Sequence, residues 1–423
     1  MIRFATAVRS MPAIWLAFPL VLGSAWYSTL FRLPDGYGVN ATAKGTAALG
    51  LIVPFAAATA AWEASRLRRA GWWQGPWVRR QLTVVLGLLW PSITIPLVAT
   101  VVAVGVSLLR IDGGAPDARL IAVAALDIAA FSIAGFAAGL LLPFSLAGPL
   151  AIVVPLFWLT FVPAMSPVWL RHLTGMFRDC CSPSDDLAAG PLIASSILDF
   201  GIIAAAWVAI ARTTALRRVI GSALSLAIPT LIGASLVAGM SYSPTIPRDT
   251  TVMLCEDMSL TRLCVWPEHR EHLEALAPLA PRVFQRWSLV GIPVPDLITE
   301  ARSDVRPPNA ALIVLSGLPL DSDALIAALA QSLLPPFPDC PGGATGWQAT
   351  EYLAAWYEWT GGISELAFAS LHAHVFDPEY PSVGEVVREL EDAPPTIRDA
   401  WVARIRNITQ ACDPWPAHDL RVE

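Results

Sequence analysis

Two long stretches without a single charge set the terms for this chain. From Gln81 to Leu109 no residue is ionisable as an acid or a base, and the same holds from Ile128 to Leu170. Runs of that length exceed a soluble core helix and suit one or two bilayer crossings of about 20 residues each. In lipid every backbone polar group must be satisfied within its own segment, so such runs form helices. The same length criterion gives seven expected spans: 11–31, 45–62, 82–109, 120–142, 149–165, 191–211 and 219–241. Separating the fourth from the fifth depends on a turn within Pro143-Phe144-Ser145-Leu146-Ala147-Gly148-Pro149, where two prolines and a glycine oppose a continuous helix. The first apolar stretch follows Arg3 and Arg9 as a signal peptide would, but it is longer than a typical cleaved apolar region, so it is read as a retained helix.

Charge divides the chain in two. Residues 1–241 hold 16 basic and 9 acidic side chains, net +7, whereas residues 242–423 hold 12 against 25, net −13. The expected fold is therefore an all-α polytopic membrane protein: seven transmembrane helices over 1–241, then a soluble, mainly α-helical domain over 242–423. The acidic sign of the tail argues against nucleic acid as its partner. Short positively charged loops stay cytoplasmic. With the N-terminus inside, the inner segments carry Arg3, Arg9, Arg66, Arg68, Arg69, Arg79, Arg80, Arg212, Arg217 and Arg218, against Arg32, Lys44, Arg110, Arg119, Arg171 and Arg178 outside. Ten against six favours that orientation, and seven crossings leave the tail extracytoplasmic, on a plasma-membrane protein.

All six cysteines, Cys180, Cys181, Cys255, Cys264, Cys340 and Cys412, fall in segments placed outside. An even number on the oxidising side suits disulfides. The expected pairs are Cys255 with Cys264 and Cys340 with Cys412, one of three connectivities open to the four tail cysteines; unpaired buried thiols are the alternative. The neighbours Cys180 and Cys181 are strained as a mutual pair, which leaves each to another partner or to the free thiol.

Within the tail, helices are expected from Pro267 to about Trp287, over 324–334, from Trp347 to Trp359, after Ser382 and from Thr396 to about Cys412. Ser382 with Glu385 spells a capping box. One strand is expected at Ala311–Ser316. The proline- and glycine-rich stretch 335–346 reads as a loop.

Three groups of residues bear on chemistry. The loop Glu63 to Arg80 interleaves Arg66, Arg68, Arg69, Arg79 and Arg80 with Trp72 and Trp73, which suits headgroup depth, where indoles lie flat and guanidiniums reach phosphate. It either docks a cytoplasmic partner or only sets topology. Asp127 and Asp199 lie inside expected spans, where an ionisable group costs about 2.5 to 3.5 kcal/mol on insertion scales and often marks a pathway; the alternatives are an interfacial position or a quiet hydrogen bond between helices. The histidines of His269-Arg270-Glu271-His272 are three apart, not the four that a zinc-peptidase helix needs. These, with His372 and His374, are read as surface residues. Lys44, the sole lysine, follows Ala43, so no Walker A loop is present, and there is no Gly-x-Ser-x-Gly elbow. No enzyme activity, metal or cofactor is expected, and any ATP would be hydrolysed by another chain.

The helix pair leading through Ala61-Trp62-Glu63-Ala64-Ser65-Arg66-Leu67-Arg68-Arg69 to a third helix resembles the permease subunits of type-2 ABC exporters. Scarce lysine beside abundant Ala, Arg and Pro is similar to chains from high-GC actinobacteria. The segment Leu263-Cys264-Val265-Trp266-Pro267-Glu268-His269 resembles the tail of actinobacterial permease-like membrane proteins with a C-terminal domain of unknown function. The resemblance implies a dimeric membrane subunit that exports a peptide or lipid-like substrate, with a separate ATP-binding subunit coupled at Glu63 to Arg80. A seventh helix and an outer domain depart from that six-helix pattern. They leave open a membrane-anchored extracytoplasmic binding or sensory protein without transport.

Overall fold

A computed structural model describes residues 11–422, apart from 32, 34–35, 72–80, 112–113, 179, 212, 259, 336–346, 374–381 and 411–421. The chain divides into two compact units, Met1–Ile246 and Pro247–Glu423.

The first unit is helical: α1 (Pro12–Trp15), α2 (Ala17–Thr29), α3 (Gly38–Thr46), α4 (Leu49–Arg69), α5 (Gln81–Leu108), α6 (Ala118–Leu141), α7 (Phe144–Thr160), α8 (Ala189–Ile210) and α9 (Ala215–Val237). Five of these helices are long and apolar enough to cross a membrane. A sixth crossing is reached if α3 and α4, bent by 41° at their junction, form one broken span. The expectation of seven is not met as such, because the stretch 11–31 folds as two short helices that break at Leu16. The turn between the fourth and fifth expected spans is tighter than the prolines imply: α6 ends at Leu141 and α7 begins at Phe144, with Pro149 inside the helix.

The surfaces these helices turn outward are apolar. Phe18, Leu22 and Trp26 on α2, Leu150 and Val153 on α7, and Val219 and Leu231 on α9 are all exposed. Water would not tolerate a continuous coat of this kind; hydrocarbon does. Inside, α6 meets α4 through Gly135 and Gly139. A methyl group added at either glycine would collide with the backbone of Ala57 or Ala61. With no hydrophobic drive between helices in lipid, such close small-residue contact is what holds a pair together.

The second unit is a mixed sheet with six helices. Its strands are β1 (Leu254–Met258), β2 (Thr261–Val265), β3 (Leu297–Thr299) and β4 (Ala311–Leu312), in that order across the sheet. β1 and β2 are antiparallel, with Cys255 opposite Cys264, and these two cysteines form a disulfide. β2, β3 and β4 run parallel. Only the β4 region was expected as strand; the other three strands are additions to a unit that is mainly helical, as expected. The helices are α10 (Arg270–Leu289), α11 (Ser322–Ser332), α12 (Trp347–Gly361), α13 (Glu365–Leu371), α14 (Val383–Asp392) and α15 (Pro395–Gln410). Apolar residues at helical spacing on α10, among them Leu276, Val283 and Trp287, enter one core with Ile298, Leu329, Tyr357, Val387 and Trp401. The indole N–H of Trp287 donates to the Tyr357 carbonyl at 2.9 Å, so the buried ring keeps a partner. The Ser382–Glu385 capping box forms as its spacing requires.

Candidate functional site

The two intramembrane carboxylates meet. Asp127 on α6 and Asp199 on α8 are 1% and 3% exposed and lie next to each other. The pair is roofed by the segment between α7 and α8, which turns through two short 3-10 helices, Val162–Ala164 and Val168–Leu173. Gly175, at φ +70°, lies against the Asp127 carboxylate so closely that a side chain there would strike it. A left-handed backbone and a missing Cβ are both required at that position.

The roof is itself polar and buried. Arg171 lies over the ring of Tyr242, 3.3 Å from its centre, and His172 Nε2 faces the Ser241 carbonyl at 2.9 Å. Burial pushes the His172 imidazole below its usual range, against a smaller upward pull from that carbonyl. Cys180 and Cys181, a little further on, are buried and joined to each other; the expectation that each would seek another partner or stay free is corrected. At the start of α6, Asp117 caps the helix by accepting from the N–H groups of Arg119 and Leu120. The Arg119 guanidinium then bridges Asp117 and Asp186, 2.7 Å from each.

The basic segment begins as the last turn of α4. Glu63 is buried and pairs with Arg66 at 3.3 Å, and Arg68 and Arg69 follow on the same helix. Ser65 donates to the Gly139 carbonyl at 3.3 Å, which ties this end of α4 to α6. Trp72, Trp73, Arg79 and Arg80 lie outside the described residues, as do Cys340, Cys412 and His374. Along α4 a hollow of about 470 Å3 lies between α4 and α7, walled by Gly50, Pro54, Trp62, Phe144 and Ile152.

The tail holds polar groups that reading the sequence misjudged. His269 is not on the surface. It is buried, with Nδ1 at 2.7 Å from Glu300 Oε1, and the second oxygen of that carboxylate accepts the Trp266 N–H at 2.8 Å. His372 is half-buried, its side chain 8% exposed, between Glu358 (Nε2 to Oε2, 2.8 Å) and Glu351 (Nδ1 to Oε1, 3.5 Å). Burial disfavours the imidazolium, but hydrogen bonds and charge from Glu358 and Glu351 outweigh it and raise the pKa above the ordinary 6.5. The signal was available in part: Glu351 and Glu358 are seven apart and therefore share one face of a helix.

Residues 263–412 match the model of a family described as a domain of unknown function (DUF7224). That is the family of the tail domain, and the chain joins it to a set of apolar helices fit for a membrane. No curated protein and no solved structure shows a significant match to the chain.

Proposed function

We propose that this chain is the membrane subunit of an exporter that works with a separate ATP-binding chain and moves a peptide or lipid-like substrate. The observation that carries the reading is the seam between α4 and α6. Helix α4 ends in Arg66, Arg68 and Arg69, and α6 carries Asp127; Gly135 and Gly139 bring the two backbones into contact. A push on the arginine-bearing end of α4 therefore moves the helix that bears one member of the acid pair, which is the linkage a transporter needs between an energy-supplying partner and its interior. A break between α3 and α4 supports the same reading, since discontinuous helices serve as the moving parts of transporters. The apolar hollow between α4 and α7 has the character a lipid tail would fill.

In this reading Glu63 to Arg80 is the docking segment and lies on the cytoplasmic side. The tail stands on the opposite side of the plasma membrane, where the paired Cys180–Cys181 and Cys255–Cys264 would be maintained. Two copies of the chain would assemble side by side. The test is purification from native membranes. An ATP-binding chain should co-purify with the wild type and be lost when Arg66, Arg68 and Arg69 are all changed to alanine. A preparation free of any ATP-binding chain, under conditions that keep other transporters intact, would overturn the reading.

A second reading is favoured by a different observation, the half-buried Glu351–His372–Glu358 cluster beside a large cavity in the tail. On that basis the chain is an extracytoplasmic binding or sensory protein held by its helices. The co-purification experiment separates the two.

A further inference from the structure

We propose that the tail domain binds a small monocarboxylate with an apolar body, held by Arg398 and Arg406 of α15 and by the Tyr357 hydroxyl of α12. The assignment concerns the tail alone and stands whichever reading of the whole chain holds.

The site is a cavity of about 370 Å3 formed by the turn after α10, the middle of α12 and one face of α15. That volume falls near the lower end of small-ligand sites. Arg398, Val402 and Arg406 follow one another at four-residue steps along α15, so they stand on one face of the helix. All three line the cavity, and Ile292, Pro293 and Trp356 add apolar wall.

The polar groups here are short of an acceptor. Tyr357 is 0% exposed, and its hydroxyl oxygen accepts from Arg406 Nε at 3.1 Å and Nη2 at 2.8 Å. Both lone pairs of the phenol are then engaged. Its own proton still calls for an acceptor, and among the described residues none takes it. The same contact fixes the guanidinium. Its Nε–Nη2 edge is held by the phenol, while the Nη1–Nη2 edge keeps its hydrogens without a described acceptor. A buried hydroxyl and an immobilised fork that both offer hydrogens call for a ligand rich in lone pairs. A carboxylate supplies about four such sites on two oxygens and meets a planar guanidinium edge with two parallel hydrogen bonds.

Charge sets the valence. Arg398, Arg406 and Asp399 are the charged side chains of the cavity, and among the described residues none of the three forms an ion pair. Two guanidiniums against one carboxylate leave one positive charge, within a tail whose net charge is −13. The Tyr357 phenol is neutral and offsets none of it. One negative charge on the ligand balances the site, whereas two would leave an excess beside Asp399. Asp399 itself is exposed, so water screens it from the bound anion.

The experiment is saturation-transfer NMR of hexanoate with the full chain in detergent micelles, using empty micelles as the blank. Saturable transfer to hexanoate is expected, with little to hexanamide, which keeps the shape and lacks the charge. Arg406→Gln or Arg398→Gln should weaken binding by about tenfold or more, since each removes a charged hydrogen bond. Tyr357→Phe should weaken it too, because both the hydroxyl donor and the contact that holds Arg406 are gone. The comparison of hexanoate with hexanamide uses the wild type alone and so holds if a variant folds poorly. No saturable transfer, equal transfer to the amide, or unchanged affinity in any of the three variants overturns the proposal. So does full displacement of hexanoate by an equal concentration of inorganic phosphate, which would make the cavity a phosphate site.

Discussion

The two units of this protein bury carboxylates in opposite ways. In the helical unit, Asp127 meets Asp199, like against like. In the tail, Glu300 meets His269, and Glu358 and Glu351 close on His372. The first arrangement sets two carboxyls side by side, the second sets each carboxylate against an imidazole nitrogen. The difference follows from surroundings. A cation facing hydrocarbon would need its own compensation, whereas a soluble core lets an imidazole be brought in by a neighbouring helix and held by a hydrogen bond. The lesson is that one residue type answers to different rules in the two halves of a single chain, and each rule can be broken separately.

The largest effect is expected at the Glu300–His269 pair. Glu300→Ala takes away the carboxylate that faces His269 Nδ1 and that accepts the Trp266 N–H. Breaking a buried pair costs about 3–5 kcal/mol, which should appear as rapid hydrogen exchange across β2 and α10 in the full chain. Wild-type protection there would show that the pair is incidental.

A smaller effect is expected at the Asp127–Asp199 pair. Asp127→Asn keeps a donor toward Asp199 and should change thermal stability by less than about 1 kcal/mol, whereas Asp127→Leu removes it and should cost about 1–3 kcal/mol. If the asparagine variant is as damaging as Glu300→Ala, the comparison between the two units collapses, because the carboxylate would then be acting as a charge.

The smallest is a pH dependence. The folded pKa of His372 lies above its ordinary 6.5. Protonation is therefore favoured by folding, and the stabilisation it brings is complete below pH 6.5 and lost as pH climbs through the raised value. Hydrogen exchange of α12 and α13 should quicken over that upper window, and His372→Asn should remove the dependence. A profile unchanged by the substitution would show that the cluster does not hold a proton.

How much of this could be read beforehand varies with how local each cause is. The spans at α5 to α9 were legible because an uncharged run of sufficient length has few other ways to satisfy its backbone in lipid. The capping box was legible because Ser382 and Glu385 reach each other within one turn. The stretch 11–31 looked like a span by composition, and hydropathy alone carried no sign of the break at Leu16. The sheet was missed for a related reason. Leu254 to Met258 has an exposed, polar centre, and β3 has only three residues; they become strands because partners distant in sequence align with them.

The sites divide the same way. The sequence identified Asp127 and Asp199 as anomalies, since a carboxylate amid apolar residues stands out whatever the fold. It could not bring them together, which required α6 and α8 to pack in register beneath Gly175. It also misread His269 and His372 as surface residues, because nothing local to a histidine reports what a glutamate 31 or 14 positions away will do.

What the chain alone determined was the division into an apolar basic half and an acidic half, and the segments able to cross a bilayer, because solvent partition depends on composition over short windows. What only the tertiary structure decided was which buried charges meet, which strand was left at the edge, and which glycines draw two backbones into contact. Those outcomes depend on distances between residues remote in sequence, and no local pattern encodes such a distance.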